Sequence, residues 1–140
     1  MTEKAKILIV DDSEVIRKIT ARIVEDLGLV ALEAENAADG VEISRDEKPA
    51  AVLLDWDLPS LGALDFLRGA ASLAEGDKPE IILCATENDP EQFALAKAAG
   101  AAHHILKPYE HESIQDKLSD IGLVAVRADA VRSIDAASAS

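Results

Sequence analysis

Apolar residues fall along this chain in five short blocks, and helical periodicity fills the stretches between them. The blocks are Lys6–Val10 and residues 29–34, 51–54, 80–84 and 103–107. Blocks this short predict strands, and a continuous run such as Ala51-Val52-Leu53-Leu54 predicts burial on both faces of a parallel sheet. The second block is the weakest, because Glu33 and Glu35 interrupt its apolar character. After the first block, Val15, Ile16, Ile19, Ile23, Val24 and Leu27 recur at helical spacing. They stop at Gly28, which suits the left-handed position after a helix. Asn36 is placed to cap a helix through about Glu47, interrupted by Gly40 and closed by Pro49. Ser60 is placed to cap a helix carrying Leu64, Phe66, Leu67 and Leu73, which Glu75-Gly76-Asp77-Lys78-Pro79 breaks. Asp89-Pro90-Glu91-Gln92 is a strong helix start, with an acid at the cap, proline first and a glutamine for a capping box. Alanines carry that helix to Gly100, and residues 112–121 form a last helix ending at Gly122.

Five strands alternating with five helices predict an α/β fold: a doubly wound, five-stranded parallel sheet in the order 2-1-3-4-5, with right-handed crossovers. Residues 1–123 are expected to form one domain. In residues 124–140, Val124, Ala128, Val131 and Ile134 allow a short partner-binding helix, but the low-complexity end favours a flexible tail.

Composition narrows the function. An apolar content of 49% and a mean hydropathy near zero fit a soluble globular domain of 140 residues. A formal net charge of −13 argues against a nucleic-acid surface, which needs clustered Lys and Arg. One cysteine allows no internal disulfide and fits a reducing compartment. No signal-type apolar core and no run of about 18 apolar residues is present, so no membrane contact and a cytoplasmic location are expected.

The expected strand order gathers the chemistry at one edge. Asp11 and Asp12 follow strand one, Asp55 ends strand three with Asp57 and Pro59 behind it, Thr86 follows strand four, and Lys107 ends strand five. Three carboxylates close together repel one another unless positive charge is present. A divalent cation and Lys107 would supply it. All-oxygen ligation, with room left for water and a phosphate oxygen, suits Mg²⁺ better than zinc. A carboxylate facing such a cation is placed to take a phosphoryl group in line. His103 and His104 are set aside as a metal pair, since adjacent strand residues point to opposite faces. Cys84 reads as a small core hydrophobe, and Trp56, the single tryptophan, is a reporter beside Asp55.

With Asp11-Asp12, Asp55 followed by Pro59, and Lys107-Pro108 in this order and spacing, the chain resembles the receiver domain of two-component response regulators over residues 5–123. The resemblance implies a flavodoxin-like fold with Asp55 as phosphoacceptor and Asp11 and Asp12 holding Mg²⁺. It implies that Asp57 offers its backbone carbonyl to the metal, and that Lys107 pairs with the phosphoryl group before a cis peptide to Pro108. The donor would be a sensor histidine kinase or a phosphotransfer protein. The output would be binding of a downstream protein at the face of helix four, strand five and helix five, or simple draining of phosphate. The chain would then be a stand-alone, chemotaxis-type switch and not an enzyme.

Three positions depart from the family's pattern. The switch hydroxyl falls on Ala85 by spacing from Lys107, with Thr86 one residue later; a bulge would bring Thr86 into place. The switch aromatic is His104, expected as a buried neutral imidazole that adds pH sensitivity. The usual glycine after the phosphoacceptor is Ala63, preceded by Gly62, which implies a reshaped loop. Two alternatives stay open. One is a degenerate receiver that binds partners without phosphorylation. The other is a phosphatase of the haloacid dehalogenase type, with Asp55 as nucleophile and Asp57 as general acid.

Overall fold

Each apolar block is a strand of one parallel sheet: β1 Lys6–Val10, β2 Val30–Ala34, β3 Ala51–Asp55, β4 Glu80–Ala85 and β5 His103–Leu106. The computed structural model describes residues 4–59, 62–85, 89–106 and 111–123. The Ser60 cap, Thr86, the Lys107-Pro108 peptide and residues 124–140 lie outside the described residues. The strand order is β2-β1-β3-β4-β5, with every pairing parallel. Five helices alternate with the strands: α1 Glu14–Asp26, α2 Ala37–Glu47, α3 Gly62–Ala71, α4 Pro90–Ala98 and α5 His111–Asp120. The doubly wound fold expected from the sequence is therefore the one found.

Alternate strand residues feed two cores. Leu8, Val10, Val52, Leu54 and Leu83 pack with Phe66 and Leu67 of α3 and Ala96 of α4. Ile7, Ile9, Leu53, Ile82 and Cys84 pack with Val24 of α1 and with Ile114 and Leu118 of α5. Both faces of β1 and β3 are thus dry, which is why their sequences run apolar without alternation. Cys84 is a buried core residue, as expected. Among the described residues no helix is long and apolar enough to cross a membrane.

Local signals explain the element ends. At the end of α1, Gly28 has φ +84°, its N–H donates to Glu25 O (2.9 Å), and Leu29 N–H donates to Val24 O (3.2 Å). This is a Schellman-type closure, and it holds Leu29 back so that β2 begins at Val30. Asn36 and Asp89 cap α2 and α4 as expected, accepting from Asp39 N at 2.8 Å and Glu91 N at 3.0 Å. Gly40, by contrast, does not interrupt α2. A Cβ there would meet the Phe66 ring at 3.0 Å and Val10 Cγ2 at 3.1 Å, so the missing side chain lets the helix lie close on sheet and α3. That close approach offsets the roughly 0.5–1 kcal/mol that glycine costs inside a helix.

Candidate functional site

Strands β1 and β3 are neighbours, and the helices that follow them pack on opposite faces, α1 in one core and α3 in the other. That divergence opens a crevice at the carboxyl edge, the usual ligand site of open α/β sheets. Asp11, just beyond β1, extends the ladder through its N–H to Ala34 O (3.1 Å) and is 2% exposed. Its Oδ1 accepts from Ser13 N at 2.9 Å. Ser13 in turn caps α1, its Oγ accepting from Ile16 N. Asp12 is exposed. Asp55 ends β3 opposite Cys84, is 3% exposed, and its Oδ1 accepts from Asp57 N at 3.0 Å.

The expected trio is assembled: Asp11, Asp12 and Asp55 each offer a carboxylate oxygen, all within 4.8 Å of one another. Three oxygens and no nitrogen or sulfur form the donor set of a hard cation, and the exposed side of Asp12 leaves room for water or a phosphate oxygen. These residues fit Mg²⁺. The Asp57 side chain is exposed and stands outside the trio; its N–H orients Asp55.

The remaining positions are placed as follows. Ala85 is the last residue of β4, 1% exposed, paired with Leu106 in register. Gly62 opens α3, where a Cβ would meet Leu58 Cβ at 2.9 Å, and Ala63 is buried beside it; residues 60 and 61 of the preceding loop lie outside the described residues. His103 and His104 do diverge, His103 Nε2 lying 3.4 Å from Glu80 Oε2. His104 is exposed and not buried: its ring stacks on Phe93 of α4, centroids 4.1 Å apart and planes 19° from parallel. Its imidazole is held below the ordinary histidine range, first by partial desolvation and then by the Lys117 charge. The exposure follows from the place of β5 at the edge of the sheet, where no further strand flanks it.

One residue near the site went unread in the sequence. Arg17 of α1 donates from Nη1 to the carbonyl of Asp11 (2.8 Å), and its Nε lies 3.3 Å from Glu33 Oε1 on β2. The signal was the unexplained acid in β2: Glu33 does not spoil the strand but faces Arg17 and Lys18 on α1.

The fold and site define a class of α/β protein: a doubly wound parallel sheet with three carboxylates gathered at its switch point. The model of the response regulator receiver domain matches residues 7–119, and the chain belongs to that family. Chemotaxis protein CheY of Halobacterium salinarum is 32% identical over 117 residues, covering 83% of this chain and 95% of that protein. PilH of Pseudomonas aeruginosa is 36% identical over 111 residues, covering 79% and 91%. Among solved structures, CheY4 of Vibrio cholerae superposes with a TM-score of 0.78 at 24% identity, covering 85% of this chain and 99% of that one. A CheY-like receiver domain protein from Methanospirillum hungatei gives 0.76 at 27% identity, covering 85% and 94%. The chain is a chemotaxis-type receiver of two-component signalling.

Proposed function

We propose that this chain is a phosphorylation-dependent switch in which Asp55 accepts a phosphoryl group from a phosphohistidine of a sensor histidine kinase or phosphotransfer protein. A carboxylate oxygen of Asp55 bonds to phosphorus as the P–N bond breaks, and the departing imidazole keeps the electron pair and takes up a proton. The Asp57 N–H fixes the Asp55 carboxylate plane, and the Ser13 N–H does the same for Asp11. Mg²⁺, held by Asp11, Asp12, Asp55 and the Asp57 carbonyl, would neutralise charge on the carboxylates and on the phosphoryl oxygens. Lys107 then pairs with the transferred group. The observation that carries the reading is the convergence of Asp11, Asp12 and Asp55 within 4.8 Å.

The phosphorylated form would favour one of two arrangements of the α4–β5–α5 face and so bind a downstream protein. In this reading the chain acts stoichiometrically and not as an enzyme, and it works in the cytoplasm, where donor kinases use ATP. Intact mass after incubation with acetyl phosphate tests it. One phosphoryl group per chain is expected with Mg²⁺, and none without Mg²⁺ or in Asp55→Asn. A wild-type chain that never gains that mass would sink the proposal.

A second reading is favoured by Ala85, whose buried methyl ends β4 where a switch hydroxyl is expected. A degenerate receiver would bind its partner equally well as wild type and as Asp55→Asn.

A further inference from the structure

Asp12 completes the carboxylate trio, yet among the described residues nothing donates a hydrogen bond to its exposed carboxylate. Its direction is therefore set by the backbone that carries it. The peptide joining Asp11 to Asp12 follows an N–H anchored on Ala34 O at 3.1 Å, and its carbonyl accepts from Arg17 Nη1 at 2.8 Å. Arg17 is itself constrained. Its side chain is 13% exposed, its Nε lies 3.3 Å from Glu33 Oε1, and Lys18 Nζ holds the other oxygen of Glu33 at 3.0 Å. Glu33 stands on β2 opposite Ile9 in register, so the guanidinium spans from the edge strand to the acidic loop. The planar guanidinium presents Nε to the Glu33 carboxylate and Nη1 to the Asp11 carbonyl in one fixed relation; an ammonium carries its three donors on a single nitrogen at the end of a flexible stem and does not fix the two acceptors relative to each other.

We propose that Arg17 is a positioning residue for the cation site: braced on Glu33, it fixes the Asp11–Asp12 peptide through the Asp11 carbonyl and so aims the Asp12 carboxylate at a divalent cation. The inference rests on the reading of Asp11, Asp12 and Asp55 as that site. Charge alone argues the opposite sign. A guanidinium near a cation site repels the incoming ion, so removing Arg17 would tighten binding if Coulomb interaction were its whole contribution. Positioning and electrostatics are thus separated by the direction of the effect.

The test titrates Mg²⁺ into the full chain, followed by Trp56 fluorescence and by calorimetry. The proteins are wild type, Arg17→Met, Arg17→Lys and Lys18→Ala, each first shown folded by circular dichroism, with Asp12→Asn as the reference for a lost ligand. Arg17→Met keeps the aliphatic stem, and Arg17→Lys keeps the charge without the fork. Both Arg17 variants should bind Mg²⁺ about tenfold more weakly, the usual scale for losing a group that orients a ligand. Lys18→Ala should stay within about twofold of wild type, since Coulomb terms at an exposed side chain are small. In the metal-free protein the Asp12 and Ser13 amides should exchange faster in the Arg17 variants. Unchanged or tighter binding in a folded Arg17 variant overturns the inference. So does failure of both variants to fold, which would assign Arg17 to the fold alone. A wild-type chain that takes up no Mg²⁺ overturns the reading of the site, and this inference with it.

Discussion

Neutralising Asp12 should stabilise the metal-free protein and abolish its response to Mg²⁺. Asp12, Asp11 and Asp55 offer oxygens within 4.8 Å of one another, a separation at which two unit charges repel by about 0.9 kcal/mol in water and about 3.5 kcal/mol at an effective dielectric constant of ~20. Asp12 is exposed, so the aqueous end of that range applies. Asp11 and Asp12 are also neighbours in the unfolded chain, so their mutual repulsion largely cancels between states. The pair formed only on folding is Asp12 with Asp55. Asp12→Asn should therefore raise stability in EDTA at low salt by about 1 kcal/mol, or roughly 4 °C in Tm for a domain of this size. Ions screen this within about 10 Å at 0.1 M, so added NaCl should shrink the gain. Urea unfolding in EDTA and in millimolar Mg²⁺ provides the assay. Wild type should gain stability from the ion by mass action and the variant should not. An Asp12→Asn protein less stable than wild type in EDTA, or equally stabilised by Mg²⁺, would refute the electrostatic reasoning.

Gly69→Ala should destabilise by about 1–3 kcal/mol, because the new methyl would run into Cγ2 of Val41, a β-branched side chain with little freedom to move aside; an unchanged urea midpoint would contradict the α2–α3 contact. Ser44→Ala should leave stability unchanged or raise it by up to about 1 kcal/mol, since among the described residues the buried Ser44 hydroxyl has no hydrogen-bond partner to lose; a clear loss of stability would refute this. His104 titrates below its ordinary value of 6.5, through desolvation and then Lys117, with Lys97 lining the same hollow. A lowered folded pKa means that the unfolded chain takes up the proton first, so this contribution is intact above pH 6.5 and is lost as pH falls from there toward the folded pKa. An NMR midpoint for His104 at or above 6.5 would refute it, and Phe93→Ala should move that midpoint upward by uncovering the ring.

The strands and their order were legible because parallel strands buried on both faces leave an unmistakable apolar run, and β1 and β3 carry it without interruption. The acidic trio followed from that order alone, since Asp11, Asp12 and Asp55 all terminate strands that the winding makes adjacent. What stayed hidden depends on residues far apart in sequence. Gly40 reads as a break in α2 until Phe66 is seen across from it, and the residue type that weakens an isolated helix is the one that permits the close approach. Glu33 reads as a flaw in β2 until Arg17 and Lys18 are placed over it. His104 reads as buried because the family's switch-aromatic position falls on it, whereas on the edge strand β5 its ring stacks on Phe93 of α4 and stays exposed.

The two strand-end acids at the heart of the site are held by the same device. Asp11 Oδ1 accepts the N–H of Ser13 and Asp55 Oδ1 accepts the N–H of Asp57, each bond reaching two residues on, at 2.9 and 3.0 Å. Such Asx-type bonds lock a carboxylate to its own turn and leave little rotamer freedom to lose when a ligand arrives. Asp12 has no equivalent bond among the described residues and faces solvent. The trio therefore consists of two carboxylates tied to their own turns and a third, Asp12, placed only by the backbone that carries it. Mg²⁺ tolerates little departure from octahedral geometry, so two rigid carboxylates would define its position, and the third would close on it at a small cost in side-chain entropy. Affinity should then be set mainly by how well the Asp11–Asp12 peptide is aimed. That is the quantity the Arg17 variants measure, and it places control of the site in a hydrogen bond from α1 that touches neither the ion nor the phosphoryl group.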